Sequence, residues 1–239
     1  MEVIVNALVL KATDYGENDK ILTLLTSERG KITAGIRGVK KAAAKLKFAA
    51  QPFCFAEYVL SKNGERYTVV NATESESFYE LREDINRFYA AASVLETACA
   101  LTYEGEDCAE VFKAAVNALT GLCSGGGADV LTEYLAFLLK FSGYGISAGN
   151  CARCGAVLTK TDRLKFNLNA GSFICGECGD GAGASRTTYN VLRKALGFDY
   201  EKEYITPDGE KRALRLIREY LSYKLNVACN SLAEYIRLL

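Results

Sequence analysis

The chain has 239 residues, of which 49% are hydrophobic, 10% aromatic and 24% charged, a composition that excludes a disordered chain and allows one large domain or two modest ones. Formal net charge is zero, so no global attraction to polyanions is expected, and the absence of histidine removes the commonest general base and every Ser/His or Cys/His nucleophile pair. Residues 1–10 lack the basic start and cleavage site of a secretory signal, and no apolar run reaches the roughly 18 residues of a membrane span, so a cytoplasmic location and no membrane partner are expected.

The first seventy residues read as short strands: a β-branched run at 3–10, then 21–25, then 31–37 with Gly35 and Gly38 where a strand can bend. Residues 53–60 and 66–72 flank Asn63 and Gly64, a pair suited to a tight hairpin turn because both tolerate positive φ. Five strands with no helical period between them predict a small closed barrel of the OB type, with an SH3-like barrel as the alternative. The period changes after residue 77. Leu81, Ile85, Phe88, Ala92, Leu95 and Cys99 recur at three- and four-residue steps and predict a long helix with those residues on its buried face. A second helix is predicted over 107–122. After the break at Gly125, Gly126 and Gly127, residues 130–141 are apolar nearly all round, which predicts a helix at the centre of a bundle. Residues 189–196, 207–227 and 232–238 complete the helices, the second opened by Thr206 and Pro207 with Asp208 and Glu210 in its first turn. The expected architecture is therefore α+β: an N-terminal five-stranded OB-type barrel over 1–76, then an α-helical domain over 77–239 carrying a four-cysteine zinc module at about 149–180.

Charge is segregated along the chain. Arg29, Lys31, Arg37, Lys40, Lys41, Lys45 and Lys47 fall in a stretch with no acid, whereas residues 80–129 hold nine acids against three bases. Cations beside glycines, with Phe48 at the edge, suit a surface that tracks a phosphate backbone; a solvated loop is the competing account. On a barrel face, Tyr58 or Tyr67 could add a stacking ring, although barrels of this size also need aromatic filling. Lys211, Arg212, Arg215 and Arg218 share the first half of a later helix, either as a solvated face or as a seat for an acidic peptide. Glu80, Glu83 and Asp84 stand at a helix start, where they suit its dipole better than a magnesium ion.

Cys151 and Cys154, then Cys175 and Cys178, form two CxxC pairs separated by twenty residues, the spacing of a four-cysteine zinc ribbon. A hairpin across Ala170 and Gly171 would bring the second pair back to the first. Paired disulfides or a redox CxxC are the alternatives, disfavoured by the expected compartment and by the lack of a strand-helix unit beside one pair. Four thiolates fill a tetrahedron and leave no position for water, so the expected zinc ion is structural. Cys54, Cys99, Cys108, Cys123 and Cys229 are isolated and read as small core hydrophobes.

Residues 16–26 (Gly-Glu-Asn-Asp-Lys-Ile-Leu-Thr-Leu-Leu-Thr), then Gly30-Lys31, residues 35–41 (Gly-Ile-Arg-Gly-Val-Lys-Lys), Lys45-Leu46 and Gln51-Pro52 resemble the N-terminal half of the RecO family of bacterial DNA repair proteins. The order of parts also agrees over the full length. The resemblance implies an OB-fold, a helical domain with a zinc module, and no enzymatic activity. It implies a recombination mediator that binds single- and double-stranded DNA, anneals complementary strands and, with RecR, helps RecA displace single-strand-binding protein, whose acidic C-terminal tail the helical domain would bind. It places DNA contacts on Lys31, Arg37, Lys40, Lys41, Lys45 and Lys47, in a nucleoid-associated protein. A protein adaptor without strong DNA binding is the competing function.

Overall fold

Alternating apolar residues in the first third of the chain form five strands in a computed structural model, described for residues 1–161 and 163–239: β1 (Glu2–Tyr15), β2 (Asp19–Thr26), β3 (Gly30–Ile36), β4 (Phe55–Asn63) and β5 (Arg66–Glu76). They close into a barrel of order β1-β2-β3-β5-β4, with β4 paired back to β1. A register shift between Val9 and Lys11 lets the long β1 bend and serve both β2 and β4. The last join is brief: β3 and β5 run parallel and pair at Ala34↔Tyr67 and Gly35↔Thr68. Val5, Leu22, Leu24, Ile36, Tyr58 and Leu60 fill the interior.

The β4–β5 hairpin turns one residue later than expected. Asn63 pairs with Arg66, the two-residue turn is Gly64-Glu65, and only Gly64 takes positive φ (60°). A glycine at the first central position supplies the mirror-image turn that matches strand twist.

Two helices follow, α1 (Ile85–Leu101) and α2 (Ala109–Cys123), after a 3-10 turn at Tyr79–Arg82. Asp84 caps α1, accepting from the Arg87 N–H at 2.9 Å, which gives that carboxylate a structural task. The buried face of α1 differs in part from the expected stripe: Leu95, and Leu81 in the turn before the helix, are buried as predicted. Ala90, Ala91, Val94, Ala98 and Leu101 are buried, while Ile85 and Phe88 are exposed and Ala92 and Cys99 are half-buried. Alanines let the helix backbone approach β1 closely, so the small residues face inward; Phe88 lies at the margin, edge-on to Phe53 at 5.7 Å. Leu8, Leu10 and Leu25 lie outside the barrel core yet are buried, on strands against which α1 and α2 pack. Packing thus groups the barrel with α1 and α2 as one compact unit, Met1–Gly125, and the change near residue 77 is one of secondary structure inside it.

The second unit, Gly126–Leu239, contains α3 (Ala128–Phe141), strands β6 (Leu164–Asn167), β7 (Ser172–Cys175) and β8 (Ala182–Ala184), then α4 (Arg186–Ala195), α5 (Pro207–Leu225) and α6 (Asn230–Leu238). Helix α3 packs on α4 and α5 through Leu131, Tyr134, Leu135 and Leu138; Phe141, at its end, is exposed. The predicted hairpin is β6–β7, and β8 adds a third strand beside β6 in the order β7-β6-β8. Thr206 caps α5 and accepts from the Gly209 N–H at 3.1 Å. No helix among the described residues is long and apolar enough to cross a membrane.

Gly30 opens β3 at φ 65°, and a Cβ there would overlap the Glu106 carbonyl oxygen. Gly30→Ala is expected to cost about 2–4 kcal/mol, since it adds left-handed strain to a backbone clash, and urea denaturation would register it as a lower midpoint.

Candidate metal centre and basic surface

Each CxxC pair sits on a tight backbone turn. The Gly155 N–H donates to the Cys151 carbonyl at 2.9 Å, the Cys178 N–H to the Cys175 carbonyl at 3.1 Å, and Gly155 and Gly179 take φ 76° and 58°. The second pair is delivered by β7, which ends at Cys175, while the Gly176 N–H donates to the Arg163 carbonyl at 2.8 Å just before β6. Asp162, inside the predicted module, lies outside the described residues.

All four sulfurs lie within 4.8 Å of one another, and Cys154 and Cys175 are 3.7 Å apart. A Zn–S bond of about 2.3 Å puts neighbouring sulfurs of a tetrahedron about 3.8 Å apart, so the cluster fits that ion. A disulfide would hold its sulfurs at about 2.05 Å, and none of these thiols is bonded to another. Burial opposes ionisation of Cys151, but the backbone N–H groups of Cys154, Cys175 and Arg153 overcome it and bring the thiol down to about 6. Cys178 is pushed up to about 12, chiefly by the Cys175 and Cys154 side chains. Four touching thiols resist shedding all their protons unless a cation compensates them, which is what a metal supplies. Zinc held here would have no open coordination position and would serve to fix the fold.

Of the isolated cysteines, Cys54, Cys108 and Cys229 are buried and Cys99 and Cys123 half-buried. Desolvation raises the Cys54 thiol to about 11, so it stays protonated.

The basic segment occupies the β2–β3 turn, β3 and the crossing from β3 to β4. Val39, Ala49, Ala50 and Phe53 are buried and pin that crossing to the barrel, while Arg37, Lys40, Lys41, Lys45 and Lys47 are exposed; Arg29 is exposed in the turn. Three of these cations have local partners. Lys31 is half-buried, with its Nζ donating to the Cys99 carbonyl at 2.8 Å in the last turn of α1 and lying 5.9 Å from the Tyr103 ring. It therefore complements the negative end of that helix. Lys40 pairs with Asp14 at 2.8 Å, and Lys20 approaches the same carboxylate at 3.8 Å. The Lys40 hydrogen bond leads the influences that hold Asp14 below the usual carboxylate range. Lys47 donates to the Ala42 carbonyl at 3.0 Å within its own loop.

The aromatic candidates separate. Tyr58 is fully buried, donates to the Ala49 carbonyl at 2.7 Å and is core, because its parity on β4 points inward. Phe48 packs against the same core. Tyr67 is half-buried and lines a groove with Arg29, Lys31, Lys62, Glu65 and Glu104. Lys62 lies 5.5 Å from its ring, a cross-strand neighbour that the turn register, once placed at Gly64-Glu65, makes legible.

Residues 1–78 match the family described as Recombination protein O N terminal, and residues 82–233 match Recombination protein O C terminal. The DNA repair protein RecO of Desulforamulus reducens is 31% identical over 227 residues, covering 92% of this chain and 88% of that protein. RecO of Pelotomaculum thermopropionicum is 32% identical over 230 residues, with 92% and 88% covered. RecO of a Nocardioides species is 30% identical over 236 residues, with 95% and 96% covered.

Elemental analysis should find one zinc ion per chain. Cys178→Ser, or chelation, is expected to cost at least about 3 kcal/mol, of order 10 °C in unfolding midpoint, with DNA affinity at low temperature less affected. Full thermal stability in a chain stripped of metal would contradict the structural role.

Proposed function

The chain belongs to the RecO family of DNA repair proteins, and on that premise we propose that it is a recombination mediator whose barrel binds single- and double-stranded DNA. In this reading it anneals complementary single strands, and with RecR it helps RecA onto single strands covered by single-strand-binding protein, whose acidic tail recruits it. The display of Arg37, Lys41 and Lys45 carries the reading: they project from a crossing that buried Val39, Ala49, Ala50 and Phe53 hold in place. Cations on a pinned loop lose little conformational freedom when phosphates arrive, and they release counterions whatever the base sequence. Tyr67, beside Arg29 and Lys62, offers a ring for a base at the other end of the segment.

The chain works by binding and not by catalysis. It has no histidine, Asp84 is occupied as a helix cap, and four thiolates would saturate zinc. Nine cysteines, none of them in a disulfide, fit work on DNA in the reducing cytoplasm.

One observation favours a second reading, a protein adaptor. Tyr79, Ile85 and Phe88 are 57%, 55% and 37% exposed at the start of α1, beside Glu80, Glu83 and Asp84. Such a surface suits a basic protein partner better than DNA.

Annealing of two complementary oligonucleotides coated with single-strand-binding protein, with and without this chain, tests the mediator reading. Charge reversal as K40E/K41E/K45E should lower single-strand affinity at least about tenfold on all sequences and reduce the slope of log affinity against log salt by about 2. Unchanged affinity and slope would reject the barrel as the DNA surface. Asp14→Asn should act oppositely: releasing Lys40 and Lys20 raises affinity about two- to fivefold at low salt, an effect that salt erases.

A further inference from the structure

We propose that the second unit carries a separate phosphate-binding trough, between α5 and the β6–β8 edge of the small sheet, that holds the backbone of a second DNA strand. The trough measures about 800 Å³. Its cations come from three stretches of chain: Arg163 before β6, Lys165 on β6, and Arg212 and Arg215 on α5, against one carboxylate, Glu219, among the described lining residues. Arg163, Arg212 and Arg215 are exposed, and Lys165 reaches the Gly179 carbonyl at 3.2 Å. Arg212 pairs with Asp208 at 2.5 Å, an exposed contact one turn apart that a phosphate can displace. Arg218 continues the strip into the adjoining groove. Successive arginines on α5 are three residues, about 4.5 Å of rise, apart, a spacing on which several phosphates of one strand can be met in turn.

The wall opposite α5 distinguishes DNA from an acidic peptide. It is strand β8, Ala182-Gly183-Ala184, small residues with open space at Gly183 that let a sugar-phosphate chain lie close to backbone, while Gly176 of the second CxxC turn makes room for the Arg163 side chain. Leu164 and Phe166 belong to the lining but are 5% and 2% exposed, which leaves the half-buried Leu168 and Leu216 as its accessible large apolar residues, beside four cations. Among the described lining residues the one ring is the buried Phe166, so no exposed ring is offered. A strand held by its phosphates and not stacked keeps its base edges free, as pairing with a complementary strand requires.

This inference rests on the annealing function proposed above. Arg212→Glu with Arg215→Glu in the full chain should leave anisotropy-measured affinity for a first labelled strand within about twofold, while annealing followed by energy transfer between two labelled complementary strands slows at least about tenfold. R212K/R215K should anneal as the parent does, because it keeps the charge. If the reversal variant has a lowered thermal midpoint, R215A/R218A, which only truncates exposed side chains, is read in the same two assays. A parental annealing rate in a folded reversal variant overturns the proposal. So does selective loss of binding to an aspartate-rich peptide with annealing intact, which gives the trough to a peptide. Failure of the function itself reads differently. If the parent does not anneal, but the DNA binding left in K40E/K41E/K45E vanishes on adding R212E/R215E, the trough stands and the annealing role falls.

Discussion

The parallel join of β3 to β5 is the constraint from which the first unit follows. Only two residue pairs make it, yet it closes the sheet and removes its edges. Two parallel strands cannot be joined by a tight turn, so the chain must leave β3, cross the barrel, run back as β4 and only then form β5. The crossing is residues 37–54, and it holds five of the seven clustered cations. Topology obliges this segment to exist. The buried Val39, Ala49, Ala50 and Phe53 then decide that it lies ordered on the barrel and does not swing free.

In the second unit the four thiols take the place of such a closure. The small sheet has three short strands, of which β6 and β7 have four residues each, too few for independent stability. Its apolar side is finished by Phe166 and Phe173, edge-on to each other at 5.1 Å, with Tyr189 from α4 and Tyr220 from α5 against them. The cysteines close the other end. Gly176 belongs both to the second thiol turn and to the wall of the trough beside α5, so the element that would order the metal also shapes that surface.

Charges in the first unit divide between those the fold consumes and those it leaves to solvent. Lys31 is consumed by the C-terminal turn of α1, and Lys40 is shared with Asp14. Arg29, Arg37, Lys41 and Lys45 face solvent on ordered backbone. An exposed ion pair such as Lys40–Asp14 exchanges readily for phosphate, whereas the buried stem and carbonyl partner of Lys31 make it a poor candidate to leave its site. A zero net charge is thus compatible with a strongly basic local surface, because the compensating acids of residues 80–129 lie on helices and their connections, away from the crossing in sequence.

Features set by local periodicity and spacing were legible in the sequence. β-Branched runs and turn residues predicted the five strands, CxxC spacing predicted the thiol cluster, and Thr206-Pro207 marked the start of α5, each a relation among residues a few positions apart. Tertiary structure decided whatever depends on partners distant in the chain. Lys31 meets Cys99, 68 residues on; Tyr58 turns inward by strand parity; α1 buries its alanines because β1 lies close; and Arg163 and Lys165 join Arg212 and Arg215 only when β6 lies beside α5. A charge run in a sequence records how many cations are near one another along the backbone. Which of them remain available is settled by the carboxylates, carbonyls and helix ends that folding brings to them, and those lie elsewhere in the chain.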